Sequence, residues 1–280
     1  MRLGKDSLGL LGVLVVAVVA VTSTLMESGV PARDGGDTSA RRPAPSAPPV
    51  SVEVPDLRGA LEFSISIGDR RDGSGTAFAI ADGVWMTARH VVDGCDVVGV
   101  LERPGRGVRA RSFSVHRNAD VAVMRMDRSG PSVALSDTVP RRGDIAYHVG
   151  FPRGEPGELR SRMLGISVMN VGGRYSTREP VIAWAELDRY PEDSSPLSGL
   201  SGGPVFDAAG RLIGVHVAGS VRRGRSFTAH PSSIRQLLDR AGVAVAARDP
   251  SFGFTSGTLP EVADDLRARR TVVKALCDVR

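Results

Sequence analysis

Gly199-Leu200-Ser201-Gly202-Gly203-Pro204, followed by the short run Gly210-Arg211-Leu212-Ile213-Gly214-Val215-His216-Val217, decides how the fold is read. A serine among so many glycines is poorly suited to packing, because glycine brings no side chain and lets the backbone take positive φ. Such a loop can turn several N–H groups toward one point beside a hydroxyl, as acyl transfer requires. Alone it would also pass for a glycine-rich turn. Two upstream segments decide between these readings.

The first is Gly73-Ser74-Gly75-Thr76-Ala77-Phe78-Ala79-Ile80 with Trp85-Met86-Thr87-Ala88-Arg89-His90-Val91-Val92, in which a strand ends in Thr-Ala-x-His and sets an imidazole at its tip. The second is Asn118-Ala119-Asp120-Val121-Ala122-Val123-Met124, a carboxylate at the entrance to an apolar strand. By itself Asp120 would be a turn residue. In the order His90, Asp120, Ser201 the three become a chemical set. A serine hydroxyl is a poor nucleophile at neutral pH, so a neutral imidazole must take its proton during attack. A carboxylate on the other ring N–H fixes the tautomer and stabilises the cation that forms. Backbone N–H groups of Gly199 and Ser201 are the candidate donors to the oxyanion.

These segments, with the turn Val149-Gly150-Phe151-Pro152, resemble the trypsin-like (chymotrypsin-fold) serine proteases, specifically the bacterial HtrA-like branch. The likeness runs from about Leu57 to Gly242. It implies a mostly β fold of two antiparallel six-stranded β-barrels with C-terminal helices, His90 and Asp120 on the first barrel and Ser201 on the second. It also implies a serine endopeptidase acting on protein or peptide substrates, with neither cofactor nor metal. By the same resemblance, the pocket for the residue before the cut has its floor near Ser195 and its walls at Val217, Ala218 and Gly219 and at Ser226 through Thr228. No acid occupies the floor position, although Asp193 is near, so small or medium aliphatic side chains are expected rather than Arg or Lys. Leu200 stands where digestive relatives carry an acid that pairs with a newly cut N-terminus, so activation by that cleavage is not expected. Fewer than 40 residues come after Gly242, too few for the PDZ domain of many HtrA proteins.

Composition sets the outer limits. The 280 residues, 41% hydrophobic with 33 glycines, allow one large or two small domains rich in strands and turns. The net charge of +5 comes from arginine, since Lys5 and Lys274 are the only lysines. Those arginines are interspersed with acids, which describes a solvated surface and gives no reason to expect a nucleic-acid partner. Arg222-Arg223-Gly224-Arg225 reads as a hairpin tip. Arg2 and Lys5 precede an apolar run from Leu8 to Val21, extended weakly to Met26. The body of the chain is therefore expected outside the cytoplasm, in the periplasm or another extracytoplasmic space. Val18-Val19-Ala20 and Val21-Thr22-Ser23 suit signal cleavage, whereas a run reaching Met26 attains the roughly 20 residues of an anchor in the inner membrane, the reading favoured here. The expected organisation is a signal peptide or signal anchor at 1–28, a Pro-rich linker at 29–56, the protease at 57–242, and a docked helix-plus-strand extension at 243–280.

Within the body, alternation in Phe63–Ile67 and short apolar runs from Thr76–Ile80 to Ser226–Ala229 predict antiparallel strands, among them one continuous strand over Val108–Val115. Ser233 and Gln236 have capping-box spacing ahead of a helix stopped by Gly242, and Thr258 with Glu261 would cap another to Arg270. Thr271 to Val279 reads as a returning strand. Cys95 and Cys277 either form a bridge, as an oxidising compartment permits, or remain two buried thiols. Two rival functions stay open: a catalytically inactive peptide-binding or protein-binding relative, and an esterase through the G-x-S-x-G pattern. The esterase reading suffers because Ser201 is followed by strand, turn and strand, and because the upstream His90 would have no use.

Overall fold

Phe63, Ile65 and Ile67 are the half-buried residues of β1 (Leu61–Ile67), alternating with exposed neighbours as a one-sided strand must. Phe63 places its ring 4.2 Å from that of Phe227. The computed structural model describes residues 52–128, 130–192, 196–245 and 249–280. The leader or anchor, nearly all of the linker, and Ser195 lie outside them; among the described residues no helix is long and apolar enough to cross a membrane.

The chain continues through β2 (Gly73–Ala81), β3 (Val84–Thr87), α1 (Arg89–Val92), β4 (Val97–Arg103), β5 (Arg106–Arg109), β6 (Ser112–Val115) and β7 (Ala122–Arg125). Then come β8 (Ala134–Leu135), β9 (Ile145–Gly150), β10 (Gly157–Gly173), β11 (Thr177–Tyr190), β12 (Pro204–Phe206), β13 (Arg211–Ser220) and β14 (Arg225–Ala229). Two helices, α2 (Pro231–Arg240) and α3 (Leu259–Ala268), precede the last strand, β15 (Val272–Asp278).

These strands make two sheets. The first runs β5-β4-β15-β2-β3-β7-β6. The expected single strand over 108–115 is bent in two, because Ala110 N–H donates to Val98 O on β4 and Arg111 N–H donates to Arg125 O on β7, both at 2.8 Å. The bend carries the chain from one edge of the sheet to the other, so β5 and β6 together form one stave of a ring of six. β15 is another stave, paired to both β2 and β4. β4 itself escaped the sequence reading, since Gly99 interrupts its apolar run. A Cβ there would meet Val108 O at 2.6 Å, so close approach of β5 demands glycine. The second sheet runs β10-β11-β14-β13-β12-β9, and β9 pairs back onto β10 to close it. β1 and β8 add to it in parallel, on β10 and β13.

Both helices seal apolar ground. Ile234, Leu237 and Leu238 of α2 are buried, as are Leu259, Ala263 and Leu266 of α3. Their caps differ from expectation. Ser233 does not cap α2; Pro231 occupies the first turn, where no N–H is needed, and the His230 ring accepts from Ser232 N–H at 3.2 Å. Thr258 exchanges hydrogen bonds with Thr255 and leaves α3 without a side-chain cap. A disulfide joins Cys95, just after α1, to Cys277 in β15 across 182 residues of sequence.

Candidate active site

β3 ends at Thr87, whose hydroxyl donates to Thr76 O at 2.7 Å, and Ala88 keeps extended geometry before α1 begins. This sharp change from strand to a single helical turn sets His90 at the end of the first sheet. Its backbone is pinned twice: Arg174 Nη2 donates to His90 O at 2.9 Å, and His90 N–H donates to Asp120 Oδ1 at 2.8 Å. His90 Nδ1–H donates to Asp120 Oδ2 at 2.7 Å, so Nε2 faces away from the acid and can accept a proton. The His90 side chain is 21% exposed while Asp120 is fully buried. Burial works against the charged imidazole, but the charge of Asp120 and its hydrogen bond outweigh it and hold His90 above the usual histidine range.

Asp120 is supported from the β10–β11 hairpin by residues the sequence did not announce. Tyr175 O–H donates to Asp120 Oδ1 at 3.0 Å, and Arg89 lies 3.9 Å from the centre of the Tyr175 ring. Glu179, fully buried, accepts Asp120 N–H at 2.8 Å. Burial, then the neighbouring Asp120 charge, pushes Glu179 far above the ordinary carboxyl value. No signal short of the tertiary structure could have found these two, because they come from a hairpin more than 50 residues downstream.

The Ser201 loop is stapled to β2 by one residue. Thr76 N–H donates to Ser201 O at 2.8 Å, Thr76 Oγ1 donates to Gly199 O at 2.7 Å, and the same oxygen accepts Phe151 N–H at 3.1 Å. The loop's backbone directions follow from peptide planarity, which points the C=O and N–H of one trans peptide in opposite directions. Ser198 O accepts Arg153 N–H at 2.5 Å, so Gly199 N–H is turned the other way. Leu200 O accepts Gly203 N–H at 2.8 Å, which likewise frees Ser201 N–H. Neither N–H has an acceptor among the described residues. Gly199 sits at φ +96°, and a Cβ there would meet Phe151 O at 2.5 Å, so the turn depends on glycine. Leu200 is buried beneath the loop.

His90, Gly199 and Ser201 line one cleft of about 300 Å³, together with Ser198, Arg174 and Cys277. The structure thus brings His90, Asp120, Ser201 and Gly199 together, although the Ser201 hydroxyl makes no hydrogen bond among the described residues. Of the expected pocket residues, Val217, Ser226 and Thr228 are buried, Ala218 is half-buried and Gly219 is exposed. Beneath them lies a feature the sequence reading passed over. His148 and His216, both buried, approach Nδ1 to Nδ1 at 3.3 Å.

The trypsin-like peptidase domain matches residues 74–215, just over half of the chain. A Brucella suis protein named "Probable periplasmic serine endoprotease DegP-like" is 28% identical over 243 residues, covering 74% of this chain and 45% of its own. A Halomonas elongata protein of the same name is 30% identical over 202 residues, covering 71% of this chain and 36% of its own. The chain therefore spans less than half the length of these relatives. The active form of the Rv3671c protease from M. tuberculosis has a like fold, with a TM-score of 0.52 at 20% identity over 62% of this chain and 76% of that one. On the domain match, the chain belongs to the trypsin-like peptidase family.

Proposed function

We propose that this chain is a serine endopeptidase that hydrolyses peptide bonds in protein or peptide substrates through His90, Asp120 and Ser201. The observation that carries this reading is the shared cleft, in which an imidazole oriented by a buried carboxylate stands with Ser201 and two unclaimed backbone N–H groups. Ser201 Oγ attacks the carbonyl carbon as His90 Nε2 takes its proton, and Asp120 stabilises the imidazolium. Gly199 N–H and Ser201 N–H receive the oxyanion, and His90 returns the proton to the leaving amine. The names of the relatives support placement in the periplasm. Residues 1–28 serve in that placement as a signal peptide or as an anchor in the inner membrane.

A fluorophosphonate probe on the purified protein tests the proposal. Labelling at Ser201 is expected, with its loss in Ser201→Ala and in His90→Ala, alongside cleavage of an unfolded protein such as casein. A folded wild-type protein that neither labels nor cleaves would leave the peptide-binding relative as the better reading; cleavage of acetyl esters but no peptide would restore the esterase.

A further inference from the structure

β6 lies at one edge of the first sheet, with β7 on one side and no strand paired to the other. The register and one hydrogen bond show which of its backbone groups are free. His116 N–H donates to Val121 O at 2.9 Å, and Val115 stands opposite Ala122. In an antiparallel pair, residues that bond across the ladder alternate with residues that do not. Ser112 and Ser114 therefore bond to β7, whereas Phe113 and Val115 turn their N–H and C=O to the open edge. Those outward groups have no partner among the described residues.

A groove of about 490 Å³ lies between β6 and the end of α2, lined by Ser114, Val115, Arg117, Leu237, Arg240 and Ala241. Val115, Leu237 and Ala241 give it an apolar surface. Phe113, 39% exposed, stands on the same face of β6 as Val115 and extends that surface. The rest of the lining is basic, and no acid among the described residues borders it. Arg111, just before β6, holds Asp127, and Arg89, whose Nη1 donates to Arg117 O at 3.3 Å, holds Asp93. Arg117 and Arg240 differ: both are exposed, and neither has an acidic partner among the described residues. Arg125 Nη2 donates to Ala241 O at 2.6 Å and brings a third guanidinium to the rim.

We infer that β6 and α2 form a docking surface for an extended, acidic peptide segment of another protein, which adds as a strand to the open edge. Phe113 and Val115 supply the backbone pairing, an apolar side chain of the segment enters the groove, and its carboxylates meet Arg117 and Arg240. The surface shares no lining residue with the cleft that holds His90 and Ser201. It goes beyond the endopeptidase reading and stands without it. A lipid headgroup would satisfy the arginines alone; only a polypeptide also answers the row of free N–H and C=O groups beside them.

The test is fluorescence anisotropy of a labelled octapeptide alternating Glu and Leu, with the full chain carrying Ser201→Ala so that the probe is not cut. Saturable binding at micromolar concentrations is expected, and a probe alternating Gln and Leu should bind at least about tenfold more weakly. Arg117→Glu and Arg240→Glu should each weaken binding of the Glu probe by about tenfold. Val115→Pro removes an N–H that the β6–β7 ladder does not use, which an edge strand tolerates, and should abolish binding. Should Val115→Pro fail to fold, a Glu–Leu probe methylated at every backbone nitrogen takes its place and should not bind. No binding of the Glu probe at millimolar concentration overturns the proposal, as does a Gln probe that binds equally well or binding that both arginine variants leave unchanged. Undiminished binding of the methylated probe also overturns it, since that marks a charge-only site of the kind a lipid or phosphate polymer would use.

Discussion

His90 must be neutral to accept a proton, and its fold holds it above the ordinary value near 6.5. The acid limb of kcat/KM is therefore expected to have its midpoint above pH 6.5, with activity falling as pH drops through it. Tyr175→Phe takes one donor from Asp120, leaving the carboxylate to hold the imidazolium more strongly. The limb should then move to higher pH by roughly half a unit to one unit. A pH profile of both proteins checks this, and an unmoved limb would mean that Tyr175 only fills space. Gly199→Ala acts on the oxyanion donors. Its methyl would collide with Phe151 O at a φ that alanine resists, so the turn must rearrange and withdraw Gly199 N–H. A fall of about 10²–10³ in kcat is expected with little change in KM. His90, Asp120 and Ser201 could be picked out as candidates from sequence because each lies in a short local pattern of turn and strand residues. Tyr175, Glu179, His148 and His216 could not be, since each gains its role only from what the folded sheets bring against it.

Among the elements, β15 has the most dependents. It pairs with β2, which carries Thr76, and with β4, while Cys277 ties it to the chain just after His90. Cys277→Ser should lower stability by several kcal/mol, since closing so long a loop is worth about 5 kcal/mol in chain-entropy terms. A thermal or denaturant melt against the wild type measures it, and an unchanged midpoint would show that strand pairing alone secures this segment. Strand positions were mostly legible, because alternation in β1 and short apolar runs elsewhere leave a period of two. β4 was lost to Gly99. The bend between β5 and β6 was lost because both arms read as one apolar stretch, and only the change of partner from β4 to β7 divides them. The caps of α2 and α3 failed for a similar reason, as His230 and Thr255 offered local hydrogen bonds that preempted the expected ones.

The whole molecule carries a pH dependence of its own. Burial holds His116, His148, His216 and His230 below the ordinary histidine value, the last near 4. Between about pH 4 and 6.5 the unfolded chain therefore binds protons that the folded one refuses, and stability declines as pH falls through that window. His90, raised by Asp120, and Glu158 and Glu179, raised by burial, act the other way, but four groups outweigh three. A melting temperature at pH 5.0 about 5 °C below that at pH 7.5 is expected, and a flat or rising trend would contradict it. The order in which the polymer is made adds a last consequence. The stave between β2 and β4 leaves the ribosome long after its neighbours, so the ring bearing His90 and Asp120 has a gap for most of synthesis. Until that late strand arrives, Thr76 on β2 lacks Lys274, its register partner, and the ring cannot close.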